Sequence, residues 1–135
     1  MKKILILFCG VTLTLKKEKK GRLLPFYSAK ELLKIMPDLR EMADISATEI
    51  VNIDSSNMDH TIWKKLATSI ADVYDQYDGF VVTHGTDTMA YTASALSYAL
   101  QYLGKPVVFT GPQKPMYELP SDGYVNLMNA VLVAS

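Results

Sequence analysis

Four short stretches each come directly after a short apolar run: Cys9-Gly10-Val11-Thr12, Asp54-Ser55-Ser56-Asn57, His84-Gly85-Thr86-Asp87-Thr88 and Gly111-Pro112-Gln113-Lys114. Small hydroxyl residues, glycines and carboxylates, types suited to holding a small charged molecule, gather in three of the four. Thr86 and Asp87 form the sharpest pair. At a strand-to-helix turn, free N–H groups and the helix dipole favour negative charge. Thr86 adds a hydroxyl that donates or accepts, and Asp87 offers a carboxylate to an ammonium group. Ser55 and Ser56 can hydrogen-bond a carboxylate through hydroxyls and main-chain N–H groups. Together these residues describe a polar pocket for a molecule with both charges, and an amino acid fits it. Singly, each has a plainer use: Asp54 and Asp87 can cap helices, and Ser, Thr and Gly are ordinary turn formers. The sequence holds no P-loop and no G-x-G-x-x-G, so phosphate or dinucleotide binding has no support.

Such a pocket needs rigid elements behind it. Ile4–Phe8, Glu49–Ile53, Gly79–Thr83 and Pro106–Thr110 read as strands, and the continuously apolar ones read as strands covered on both faces. Ser28-Ala29-Lys30-Glu31 is a capping box opening a helix that carries Leu32, Leu33, Ile35 and Met36 and stops before Pro37. Asp59 is placed to cap a second helix, whose Trp63, Leu66, Ile70 and Val73 recur at spacings of three and four. A third helix is predicted from near Asp87 to about Leu103, with Gly104 as its left-handed stop and Pro106 preventing continuation. A last one begins after Ser121. Buried strands alternating with helices predict an α/β fold: an open, mostly parallel sheet with helices on both faces, flavodoxin-like or Rossmann-like. In such sheets ligands bind outside the carboxyl ends of the strands, where the polar stretches fall. The last helix has no strand after it within residues 1–135, so the architecture is expected to be incomplete at the C-terminal end.

Composition narrows the classes. A chain of 135 residues is long enough for one domain that buries roughly two-thirds of its unfolded surface. Hydrophobic residues make up 49% and charged ones 21%, which excludes a disordered chain. Fourteen basic against fourteen acidic residues leave no electrostatic footprint for nucleic acid. The single cysteine, Cys9, excludes a disulfide framework and reads as a buried small hydrophobe rather than a substitute nucleophile. Two histidines without partner spacing give no metal site. No apolar run approaches the ~18 residues of a membrane span. Ile4–Phe8 is also shorter than the ~7–15 apolar residues of a signal peptide, and Phe8 stands where cleavage needs a small residue. A soluble, cytoplasmic domain is the expectation. The charged stretch Lys16–Gly21 is predicted to be a solvated loop, and Tyr74, Tyr77, Tyr98 and Tyr102 to be half-buried packing residues on helices.

Val82-Thr83-His84-Gly85-Thr86-Asp87-Thr88-Met89-Ala90-Tyr91-Thr92-Ala93 resembles the second signature of the bacterial-type L-asparaginases, and most closely their cytosolic type I branch. Asp54-Ser55-Ser56-Asn57-Met58, Gly104-Lys105-Pro106 and Ser121–Leu127 fall in the family's order and spacing, so the likeness spans the chain. The resemblance implies hydrolysis of L-asparagine to L-aspartate and ammonia by a threonine nucleophile, without metal or cofactor. Thr12 matches the nucleophile, whose hydroxyl needs a neighbouring base to take its proton. Thr86 matches a second catalytic threonine that works with Asp87 and a downstream lysine, and Asp87 also holds the substrate's α-amino group. Ser55 matches the residue that grips the α-carboxylate, with Ser56 beside it, and Pro112 supplies a main-chain oxygen facing the side-chain amide. The lysine and a smaller C-terminal domain are expected beyond Ser135, so residues 1–135 alone are expected to be inactive. The resemblance further implies a homodimer or homotetramer.

The family's first signature reads Thr-Gly-Gly-Thr-Ile, where this chain has Cys9-Gly10-Val11-Thr12-Leu13, and Arg22 falls in the sequence near the position where many type I enzymes carry an active-site-loop tyrosine. Two other readings compete: a non-catalytic, truncated remnant that keeps the fold, and a glutaminase-like subunit of a tRNA-dependent amidotransferase. Val11 is β-branched where the family has a glycine at a tight turn, so strain beside Thr12 is the expectation. Val11→Gly is therefore expected to raise the hydrolytic rate of the intact protein when the two are assayed side by side. Equal rates would show that the turn accepts valine.

Overall fold

The computed structural model describes residues 1–10, 15–17, 23–25, 29–116 and 118–135. Its centre is a four-stranded parallel sheet built from β1 (Lys3–Cys9), β4 (Asp44–Val51), β5 (Gly79–His84) and β6 (Val107–Thr110), in the order β4-β1-β5-β6. A separate antiparallel pair joins β2 (Leu15–Lys17) to β3 (Leu23–Pro25). The helices are α1 (Ala29–Ile35), α2 (Leu39–Met42), α3 (His60–Asp72), α4 (Met89–Ala99) and α5 (Gly123–Ala134).

β1 and β5 lie inside the sheet and read as unbroken apolar runs because both their faces are covered. Side chains alternate between two cores. Ile4, Ile6, Phe8 and Val81 pack on Leu39 of α2 and on Leu127, Val131 and Ala134 of α5. Leu5, Leu7, Phe80 and Val82 pack on Leu66 and Ile70 of α3 and Leu96 of α4. The open parallel sheet with helices on both faces is thus the observed architecture. Asp59 caps α3 as expected, its carboxylate accepting from the N–H groups of Thr61 and Ile62 at 2.9 and 3.1 Å.

Several boundaries differ from the sequence reading, each for a local reason. β4 begins at Asp44 rather than Glu49 and ends at Val51 rather than Ile53. It is an edge strand, so Asp44, Ser46 and Thr48 stay polar while still pairing with β1, and polarity hid the strand. α4 spans Met89–Ala99, shorter at both ends than the predicted helix. The left-handed residue after it is Tyr102, with φ of 57°, and not Gly104. Gly104 instead donates its N–H to the Tyr74 hydroxyl at 2.7 Å, while Lys105 Nζ donates to Tyr74 O at 2.6 Å and sits 4.6 Å from that ring's centre. Tyr74 and Tyr77 do pack half-buried against Phe80, but Tyr98 and Tyr102 are exposed, because the helix ends before Tyr102 and Tyr98 lies on its outer face. Lys16 and Lys17, predicted as loop, belong to β2, where backbone pairing with β3 overrides the charge pattern. Ser28 lies outside the described residues.

The register of β1 on β4 shifts between Phe8 and Cys9, which pair with Glu49 and Val51 and leave Ile50 as an extra residue. Such bulges bend a strand and re-aim the residues beyond them. Lys65 Nζ donates to the Ile50 carbonyl at 2.6 Å, so a helix side chain satisfies a backbone group at the irregularity. Among the described residues no helix is long and apolar enough to cross a membrane.

Leu66 and Leu127 are fully buried on opposite faces of the sheet. Leu66→Ala and Leu127→Ala are each expected to cost about 2–5 kcal/mol. Their effects should add to within about 0.5 kcal/mol, since the sheet separates the two cores. Denaturant midpoints of the two single variants and the double variant check this, and a clear departure from additivity would mean that the cores act as one.

Candidate active site

The crossover from β1 to β4 runs one way along the sheet, and the crossover from β4 to β5 returns past β1. The carboxyl ends of β1 and β5 therefore flank the point where strand order reverses, where open α/β sheets bind ligands. At that point the backbone comes very close. Gly10 has φ of +143°, a conformation side chains rarely adopt, and a Cβ there would lie 3.3 Å from Gly85 N. A Cβ on Gly85 would lie 2.6 Å from Ser55 Oγ and 2.7 Å from Ser55 Cβ. The exits of β1, β4 and β5 thus meet with no room for a side chain between them.

Above this junction opens a cleft of about 190 Å³, lined by Ile53, Asp54, Ser55, Gly85, Thr86, Asp87, Pro112 and Gln113. Four of the residues singled out in the sequence, Ser55, Thr86, Asp87 and Pro112, are brought together here. Ser55 and Pro112 are buried, Thr86 and Asp87 exposed. The Thr86 hydroxyl and the Asp87 carboxylate have no partner among the described residues, so both are available to a ligand. Ser56 is not among the lining residues: its N–H and hydroxyl both donate to Asp54 Oδ1, at 2.9 and 2.7 Å. Those two bonds hold the Asp54 carboxyl below the usual carboxylate range. Thr12, Val11 and Arg22 lie outside the described residues.

Residues that sequence reading passed over hold the lining in place. Thr88 Oγ1 donates to Ser55 O at 2.7 Å and ties the exit of β5 to that of β4. Asp122, at the start of α5, accepts from the N–H groups of Gln113 and Lys114 at 2.9 and 3.0 Å and from Asn126 Nδ2 at 3.0 Å. Asn126 also donates to Gly111 O at 3.2 Å, so the turn after β6 is gripped from both sides. The Asp122–Asn126 spacing of four on one helix face is visible in the sequence; the reach of Thr88 to Ser55, 33 residues away, is not. His84 is buried beneath the cleft, and burial pulls its imidazole below its ordinary value. Burial likewise pushes the Cys9 thiol up to about 12, leaving no thiolate at neutral pH, as suits a small core residue. Among the described residues no cluster of His, Cys, Asp and Glu could hold a metal ion.

The family model described as "Asparaginase, N-terminal" matches residues 3–135. The chain belongs to the asparaginase family. It is 44% identical to L-asparaginase 1 of Escherichia coli K12, over 99% of this chain and 40% of that protein. It is 38% identical to a glutamyl-tRNA(Gln) amidotransferase subunit of Metallosphaera sedula, over 98% of this chain and 30% of that one. The fold is similar to the crystal structure of L-asparaginase I from Vibrio cholerae, with a TM-score of 0.85 at 45% identity over 98% of this chain and 40% of that one. The asparaginase-family chain thus spans well under half the length of these relatives.

Asp122 is a carboxylate whose pKa is depressed by the N–H groups of Gln113 and Lys114. Its hold on the turn is therefore present above the ordinary carboxylate pKa and is lost as pH falls through the lower, folded value. Asp122→Ala is expected to speed amide exchange at Gln113 and Lys114 on the order of tenfold at neutral pH while changing exchange in β1 little. Unchanged exchange at those two amides would mean that the turn is held without Asp122.

Proposed function

We propose that this chain is the N-terminal, substrate-binding part of a cytoplasmic L-asparaginase that hydrolyses L-asparagine to L-aspartate and ammonia. The observation that carries the reading is one cleft in which the Asp87 carboxylate and Thr86 hydroxyl, without partners among the described residues, stand with the buried Ser55. An α-amino acid presents an ammonium for the first and a carboxylate for the last. Asp87 holds the α-ammonium, Ser55 the α-carboxylate, and the carbonyl of Pro112 faces the side-chain amide.

The chemistry then divides between two threonines. The Thr12 hydroxyl adds to the carboxamide carbon while its proton passes to a base, since a free hydroxyl is a weak nucleophile. Thr86 relays that proton with a lysine contributed from outside these residues. The C–N bond breaks as nitrogen takes a proton and leaves as ammonia, with the acyl group held as an ester on Thr12. Water then hydrolyses the ester, releasing L-aspartate and restoring the hydroxyl. In the same reading a smaller C-terminal domain comes after this one, and a homodimer or homotetramer completes the site.

The similarity to the tRNA-dependent amidotransferase favours a second reading, in which the amide donor is glutamine and the ammonia serves a tRNA-bound acceptor. Assays of the intact protein with both amides, with and without tRNA, separate the two. Free asparagine turned over without tRNA supports the first, and glutamine hydrolysis raised by tRNA the second. Failure on both amides would leave a non-catalytic member of the fold.

Thr12→Ala and Thr86→Ala are each expected to lower turnover at least ~100-fold without unfolding the chain. Turnover above a few per cent of wild type in either variant is more than the loss of a nucleophile or proton carrier leaves, and would overturn that residue's role. Asp87→Asn should raise KM and lower kcat together, because the charge facing the α-ammonium is gone. A change in kcat alone would assign Asp87 to the chemistry and not to binding.

A further inference from the structure

A chain of hydrogen bonds runs from α3 through α4 to the floor of the cleft. Trp63 Nε1 donates to Thr92 Oγ1 at 2.9 Å; Thr92 Oγ1 lies 2.8 Å from His84 Nε2; and His84 Nδ1 lies 2.7 Å from Gly85 O. The ends of the chain fix its direction. An indole N–H only donates and a carbonyl only accepts. His84 Nδ1 must therefore carry a proton toward Gly85 O. Burial keeps the imidazole neutral, so Nε2 is left as an acceptor and takes the Thr92 hydroxyl proton. Every donor along the path points the same way, from Trp63 to Gly85.

The last link bears on the site. In a trans peptide the C=O and the following N–H point in opposite directions. Holding the Gly85 carbonyl against the buried His84 therefore turns the Thr86 N–H away from His84, in a peptide whose two residues both line the cleft. We propose that Trp63, Thr92 and His84 are positioning residues, which fix the Gly85–Thr86 peptide and with it the Thr86 main chain and hydroxyl against the reacting amide. This inference rests on the amidohydrolase reading for its effect on rate, but not for its geometry. Ser55 is secured separately through Thr88, so breaking the chain should disturb the reaction more than the grip on the substrate's carboxylate.

The test uses the intact protein, Thr92→Val, which keeps the shape and removes the hydroxyl, and Thr92→Ser, which keeps the hydroxyl. Long-range 15N–1H correlation spectra report the His84 tautomer, and steady-state kinetics report kcat and KM. The wild type should show His84 protonated on Nδ1. Thr92→Val should lower kcat roughly tenfold, the worth of one oriented hydrogen bond, with KM changing less. Thr92→Ser should restore kcat to within about twofold, a fraction of the same bond. Trp63→Phe, which removes only the first donor, should give a smaller loss in the same direction. A wild-type His84 protonated on Nε2, a Thr92→Val enzyme with unchanged kcat, or a Thr92→Ser enzyme as slow as Thr92→Val would each overturn the proposal. If the intact protein hydrolyses neither amide, the functional reading has failed. The tautomer, and the movement of the Thr86 amide resonance in Thr92→Val, then decide the positioning role without it.

Discussion

Parallel pairing of β1 with a neighbour on each side is the constraint on which the other features depend. β1 exchanges main-chain hydrogen bonds with β4 and β5 and presents alternate side chains to two cores. A slip of one residue would move Ile4, Ile6 and Phe8 into the core of Leu5, Leu7 and Cys9, so the register is fixed by both faces at once. With the register fixed, Cys9 pairs with His84, and the residues after each strand emerge side by side. The close approach of Gly10 to Gly85, and of Gly85 to Ser55, is the consequence. Two glycines bring the exits together at this place, beside a bulge at Ile50 after which Cys9 still pairs with Val51.

How far this was legible in the sequence depends on what each residue touches. β1 and β5 stood out because strands covered on both faces have no solvent side to break the apolar run. β4 was misplaced because an edge strand has such a side, and Asp44, Ser46 and Thr48 carry no apolar signal of their own pairing. The helix start at Asp59 was legible because its partners are two and three residues away. The end of α4 was not: the left-handed residue is Tyr102, while Gly104, which reads as the stop, is bonded to Tyr74, 30 residues away in the chain. The rule that ligands collect at strand exits brought Ser55, Thr86, Asp87 and Pro112 to one place. Their supports, Thr88, Asp122, Thr92 and Trp63, act across elements, and one sequence does not show which elements meet.

The polar groups around the cleft fall into two sets, and residue type does not separate them. Asp54 and Asp87 both come after strands, and either could cap the element after it. Asp54 does so, because the extended backbone at Asp54 lets its carboxylate reach the N–H and hydroxyl of Ser56 two residues on. Asp87 does not. The residue at the start of α4 is Thr88, and its hydroxyl turns away from the helix to Ser55 O, so it makes no side-chain cap there. One carboxylate is thereby committed to its own turn, and the other is left facing the cleft. The same division runs through the hydroxyls: Ser56, Thr88 and Thr92 are bonded within the fold, while Thr86 has no partner among the described residues. A site that must bind and release a small polar molecule needs both sets. The committed groups hold the backbone where desolvation would otherwise let it shift, and the uncommitted ones exchange water for ligand without first breaking a bond inside the protein.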